Sequence, residues 1–135
     1  MILDRSADDG WVWVRPSKPR VTIREKDDYL LHYGKWLIFT KRSEYLEELA
    51  KKLDPYVEEG KIDSAKYCRE PAPWAEGKLV MCVYCDDTRR GEVRKILGEL
   101  GIDTRNLRWK YEHQTLLDWA PGGRLYRKAA SSGLI

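Results

Sequence analysis

Hydrophobic and polar positions along the chain alternate in two distinct rhythms. Trp11 to Val14 sets aromatic and β-branched residues in a short run closed by Pro16 and Pro19, which cannot donate to a ladder; a first strand is predicted there. Val21 to Arg24 alternates with period two, and Asp27-Asp28 before Tyr29, Leu30 and Leu31 predicts a capped helical turn. Lys35 to Thr40 follows Gly34, is apolar and rich in β-formers, and is expected as a central strand. The rhythm then becomes helical. Leu46, Leu49, Ala50, Leu53 and Val57 recur on one stripe, Ser43 is placed to cap it, and Glu47 and Glu48 stand four residues before Lys51 and Lys52. Asp54-Pro55 is expected to kink or end that helix.

Beyond Gly60, Ile62 to Cys68 predicts a strand, and Glu70 to Gly77, with two prolines and Trp74 at its centre, a loop. Leu79 to Cys85 is an unbroken apolar run of the kind that lies mid-sheet. Asp87 or Thr88 would cap a second helix carrying Val93, Ile96, Leu97 and Leu100, with Gly101 where a left-handed C-terminal residue belongs. Leu107 to Tyr111 predicts a last strand, and Pro121-Gly122-Gly123 breaks the chain before basic Arg124, Arg127 and Lys128. This order implies an α+β domain, a curved, mostly antiparallel sheet with two main helices on one face and the other face partly open. A chain of 135 residues suits one such domain spanning 1–135, with 1–10 and 128–135 as flexible ends.

Composition changes this picture in three ways. The 25 basic and 22 acidic residues nearly cancel, so a nucleic-acid partner is permitted rather than implied. Asn106 and Gln114 are the only side-chain amides beside abundant Lys, Arg and Glu, the pattern of a heat-adapted protein from an archaeon or a thermophilic bacterium. Three cysteines, an odd number, and a start carrying Asp4, Asp8 and Asp9 instead of an apolar leader point to a reducing, cytoplasmic setting; no apolar run is long enough for a membrane span.

Familiar catalytic and cofactor signatures are missing. Cys82 and Cys85 have the C-x-x-C spacing of zinc and redox sites, but in a strand residues three apart point to opposite faces, so structural cysteine is the reading; no metal and no cofactor are expected. His32 and His113 have no triad or ligand spacing around them, and there is neither a dinucleotide fingerprint nor a P-loop. What stands out is six tryptophans and eight tyrosines against one phenylalanine, with cations interleaved: Lys35-Trp36, Lys66-Tyr67-Cys68-Arg69, and Arg108-Trp109-Lys110-Tyr111. Arg108 and Lys110, two apart on a strand, would share a face and flank one phosphate. Trp119 adds a further ring near the C-terminal strand.

The order of several short blocks resembles a known family. Gly34-Lys35-Trp36 leads into Leu37-Ile38-Phe39; after a helix come Ala65-Lys66, then Cys82-Val83-Tyr84 with Asp86-Asp87, a helix ending at Leu100-Gly101, and Trp109-Lys110 with Thr115. Across Tyr33 to Tyr126 this is similar to the basophilic-leukemia-expressed protein family, whose members share the fold of translation initiation factor 4E. More distantly the blocks look like the phosphothreonine lyases of bacterial effectors. That likeness implies Lys66 at the position of the catalytic base and Lys35 at that of a phosphate-holding lysine. The lyases' acid, a histidine two residues after that lysine, falls on Leu37 here. Since general-acid help is worth about 10² to 10⁴ fold, β-elimination would be slow without it.

The expectation is therefore a non-catalytic binding domain for a phosphorylated ligand (a nucleotide, RNA or phosphoprotein) on the open sheet face. Lys35, Lys66, Arg69, Arg108 and Lys110 would hold the phosphate, and Trp36 and Trp109 would stack. The alternatives are a phosphothreonine lyase-like enzyme and a protein–protein interaction module.

Overall fold

The computed structural model describes residues 1–18, 31–71, 75–114, 123, 127 and 130–133. The alternating stretch Val21–Arg24, most of the turn from Asp27, Trp74, Trp119, Arg124 and Lys128 lie outside the described residues. The strands are β1 (Ile2–Arg5), β2 (Trp11–Val14), β3 (Tyr33–Thr40), β4 (Ser64–Cys68), β5 (Leu79–Asp86) and β6 (Arg108–Tyr111). Helices α1 (Ser43–Glu58) and α2 (Arg90–Glu99) complete the frame, with a short 3₁₀ turn at Thr104–Asn106. The protein is α+β: one six-stranded sheet in the order β1-β2-β4-β5-β3-β6, every neighbouring pair antiparallel. The apolar run of β5 lies inside the sheet between β4 and β3, as its continuous hydrophobicity requires.

Register sorts the side chains into two faces. On one, Val14, Ala65, Val83, Trp36 and Trp109 form a row of cross-strand partners, with Val12, Tyr67, Met81 and Ile38 in the next. The apolar stripe of α1 and Val93 and Leu97 of α2 complete this core with them. Trp36 Nε1 donates to the carbonyl of Arg90 at 3.0 Å, which ties this face to the start of α2. On the opposite face Leu37, Val80, Cys82 and Tyr84 are also buried, so that side is more covered than the expected open surface.

Several local expectations are corrected. Residues 2–5, expected within a loose end, form β1; it is too short and polar to announce itself, yet it pairs with all of β2. The N-terminal ammonium bonds Asp54 and, at 2.8 Å, Glu58 in the last turn of α1, where a cation complements the helix dipole. Pro55 does not end the helix: α1 continues to Glu58, held by Leu53 and Val57, both fully buried. The N-caps are Arg42 and Arg89, neither with a side-chain cap bond, rather than Ser43 and Asp87 or Thr88. Asp86 instead accepts from the amide of Thr88 at 3.0 Å, serving the turn before α2. Gly101 has φ of 96°, the left-handed residue expected after α2.

Candidate functional site

On the face away from the core rows, two further rows run across the sheet. Trp13, Lys66, Cys82, Leu37 and Arg108 are successive cross-strand partners, and so are Ser64, Tyr84, Lys35 and Lys110. The first row sets Lys66 between Trp13 and Cys82; the second sets Lys35 between Tyr84 and Lys110. Because the rows are adjacent, Lys35 and Lys66 lie diagonally across β5 on one side of the sheet.

Their ammonium groups converge on one ring. Lys35 Nζ is 5.7 Å and Lys66 Nζ 5.9 Å from the centroid of Tyr84. Lys66 Nζ also lies 4.1 Å from the ring of Trp11 and 5.0 Å from that of Trp13, a three-sided aromatic surround. Lys35 is anchored differently, by an ion pair to Glu112 at 2.8 Å, with only 14% of its side chain exposed. Among the described residues, no carboxylate stands within ion-pairing distance of Lys66. Glu112 and, more weakly, Asp9 act on it through their fields, and Asp9 is itself engaged by Trp13 Nε1 at 3.0 Å, a bond that lowers the pKa of its carboxyl.

These surroundings tune the groups. Burial pulls the pKa of Lys66 below 10.5, and the charge of Lys35 pulls the same way. Burial pushes the Cys82 thiol and the Tyr84 phenol up, so both are neutral beside the lysines. The site thus offers one cation balanced by a carboxylate and a second that rests on π faces with no ion-pair partner among the described residues.

Not every residue singled out from sequence arrives here. Lys35, Lys66, Arg108 and Lys110 share the face. Trp36 and Trp109 are on the other one, meeting edge to face at 5.4 Å between α2 and the sheet, because neighbours along a strand alternate. Arg69 leaves the set as well. Beyond the end of β4 it bonds Asp4 of β1 at 2.8 Å, and Asp4 is the cross-strand partner of core-facing Val12. The rings that do flank the lysines are Trp11, Trp13 and Tyr84. Trp11 and Trp13 are recognisable in the sequence as a strand, but the pairing of β2 with β4 that sets them beside Lys66 is not.

A second polar group occupies the end of the sheet near α2. Asp87 accepts from the Tyr111 hydroxyl at 3.1 Å and lies 3.0 Å from His32 Nδ1. His113 stacks on Tyr111 at 4.8 Å, is fully buried, and among the described residues has a hydrogen-bond partner at neither ring nitrogen. Burial lowers its pKa, with a smaller push from His32. Cys82 and Cys85 face opposite sides of β5, and among the described residues no group of His, Cys, Asp or Glu is arranged to hold a metal ion. A cleft of about 990 Å³ lies at the other end of β3 around Ile38, Thr40 and Leu107, and shares only Arg108 with the lysine set. Among the described residues no helix is long and apolar enough to cross a membrane.

No protein-family model matches the chain, and no curated protein matches it significantly.

Proposed function

We propose that this protein is a binding domain for a phosphorylated ligand, taken up between Lys35 and Lys66 beside Trp11, Trp13 and Tyr84. The observation that carries the reading is Lys66, a half-buried ammonium with three aromatic rings around it and no carboxylate paired to it among the described residues. A cation withdrawn from water is costly unless an anion joins it, and cation–π contacts return only part of that cost. A phosphate oxygen at Lys66 supplies the missing charge, with Lys35 on the next row and Arg108 and Lys110 further along the same rows. The order of sequence blocks and the placement of both helices on one side of an antiparallel sheet support a fold of the translation initiation factor 4E type. The free cysteines suit a reducing, cytoplasmic setting.

Tryptophan fluorescence tests the reading directly, since Trp11 and Trp13 border the lysines. A nucleoside monophosphate, a phosphothreonine peptide and a single-stranded oligonucleotide are titrated into the wild type, K35M and K66M. At least one should bind the wild type in a salt-sensitive way and bind each variant roughly 10- to 100-fold more weakly, the effect of losing a charged hydrogen bond. Absence of binding by all three would defeat the reading.

The lowered pKa of Lys66 also favours a second reading, a lyase in which it removes the α-proton of phosphothreonine while the Cβ–O bond breaks and phosphate departs. Leu37, buried in the Lys66 row, offers no proton to the leaving phosphate. Incubation with a phosphothreonine peptide followed by mass spectrometry separates the readings: the lyase yields a dehydrated peptide and free phosphate, the binding domain returns the peptide intact.

A further inference from the structure

Glu112 places a carboxylate beside the lysine pocket. Its carboxylate lies 2.8 Å from Lys35 Nζ, so the inner set of Lys35, Lys66 and Glu112 carries one net positive charge. Lys35 and Glu112 are both largely withdrawn from solvent, which keeps their charges felt at short range. Cys82 and Tyr84 between the lysines are neutral, their ionisation opposed by burial. A monoanion seated between the lysines balances the set; a dianion meets the carboxylate with its surplus charge. Three more features favour a chain of monoanions over a single one. Lys35 and Lys110 are direct cross-strand partners, and Arg108 stands two residues along β6 on the same face, so cations recur at strand spacing away from the pocket. Trp11 and Trp13 are only partly buried, with ring area beside Lys66. Planar groups interleaved with single negative charges are what such a surface fits.

Resting on the function proposed above, we infer that the ligand is the phosphodiester backbone of a single-stranded nucleic acid, and that Glu112 discriminates against terminal phosphate monoesters. Only one phosphodiester charge enters the Lys35–Lys66 pocket, with neighbouring phosphates and bases on the cations and rings beside it.

The test compares an oligothymidylate lacking terminal phosphates with a phosphothreonine peptide, using wild type and E112Q, circular dichroism checking that the variant is folded. The oligonucleotide should bind the wild type at least about tenfold more tightly than the peptide, since like charges set side by side are disfavoured. E112Q should shrink that ratio by tightening the peptide, with little change for the oligonucleotide. Equal or tighter peptide binding by the wild type, or an unchanged ratio in E112Q, overturns the inference while leaving a phosphate pocket standing. Binding of neither probe overturns the inference, and overturns the phosphate pocket as well if a nucleoside monophosphate also fails to bind.

Discussion

Lys35 and Lys66, on strands separated by β5, bring their ammonium groups within 5.7 and 5.9 Å of the centroid of one ring, that of Tyr84. Two cations held near one another are mutually unfavourable, and here only one of them has an ion-pair partner among the described residues, Glu112. The pair is therefore poised to gain from an incoming anion.

The first consequence concerns pH. The pKa of Lys66 is lowered by burial and by Lys35, so between that lowered value and 10.5 the unfolded chain binds more protons than the folded one. Stability contributed by this group accordingly rises with pH across that window, and the charged form is a cost below it. Anion affinity runs the other way, falling as the pH climbs through the lowered pKa. Denaturant melts and phosphate-probe titrations from pH 7 to pH 11 should show opposite slopes in the wild type, and K66M should flatten both.

His113 gives a second pH signature of different origin. Its pKa lies below 6.5 because the ring is buried, with a smaller push from His32. As the pH falls below 6.5 the unfolded chain takes up the proton first, and stability is lost progressively. H113F keeps the stacking on Tyr111 and removes two buried nitrogens that have no hydrogen-bond partner among the described residues. It should raise stability by about 1 kcal/mol at neutral pH and reduce the acid slope, measured by thermal melts between pH 5 and pH 8.

Gly34 is held by space. A methyl group there would meet Trp109 Cζ2 at 2.5 Å and the Lys110 carbonyl at 2.8 Å, both on the paired strand β6. G34A should cost roughly 3 kcal/mol in a urea titration, the upper range for overpacking, because the obstacle includes backbone.

Arg69 serves as the contrasting position. Its guanidinium is raised in pKa by its hydrogen bond to Asp4, and both side chains are about half exposed. R69A should leave affinity for phosphate probes unchanged and cost less than about 1 kcal/mol, as exposed ion pairs do. A marked loss of affinity would return Arg69 to the pocket.

Much of the frame was legible in the sequence because it rests on local periodicity. The stripe from Leu46 to Val57 and the run from Leu79 to Cys85 each bury the side chains their spacing predicts. Strand alternation likewise separates Cys82 from Cys85, and the same rule, applied to Lys35 and Trp36, removes Trp36 from the cationic face. The caps were less legible, since Asp86 spends its carboxylate on the turn before α2 while arginines occupy both N-cap positions without capping. Least legible was the site's aromatic wall. Trp11 and Trp13 reach Lys66 only because β2 pairs with β4, a contact spanning more than fifty residues. Glu112 was equally hidden, lying just past the end of β6 where no periodicity announces its reach to Lys35.

The shared pocket is tested most directly by lysine-selective NMR of the Nζ groups during titration with the unphosphorylated-end oligothymidylate. Resonances of Lys35 and Lys66 should move together along one binding curve, with Lys66 shifting towards a higher pKa as the anion arrives. Movement of only one of the two, or two curves with different midpoints, would contradict a single site formed by both.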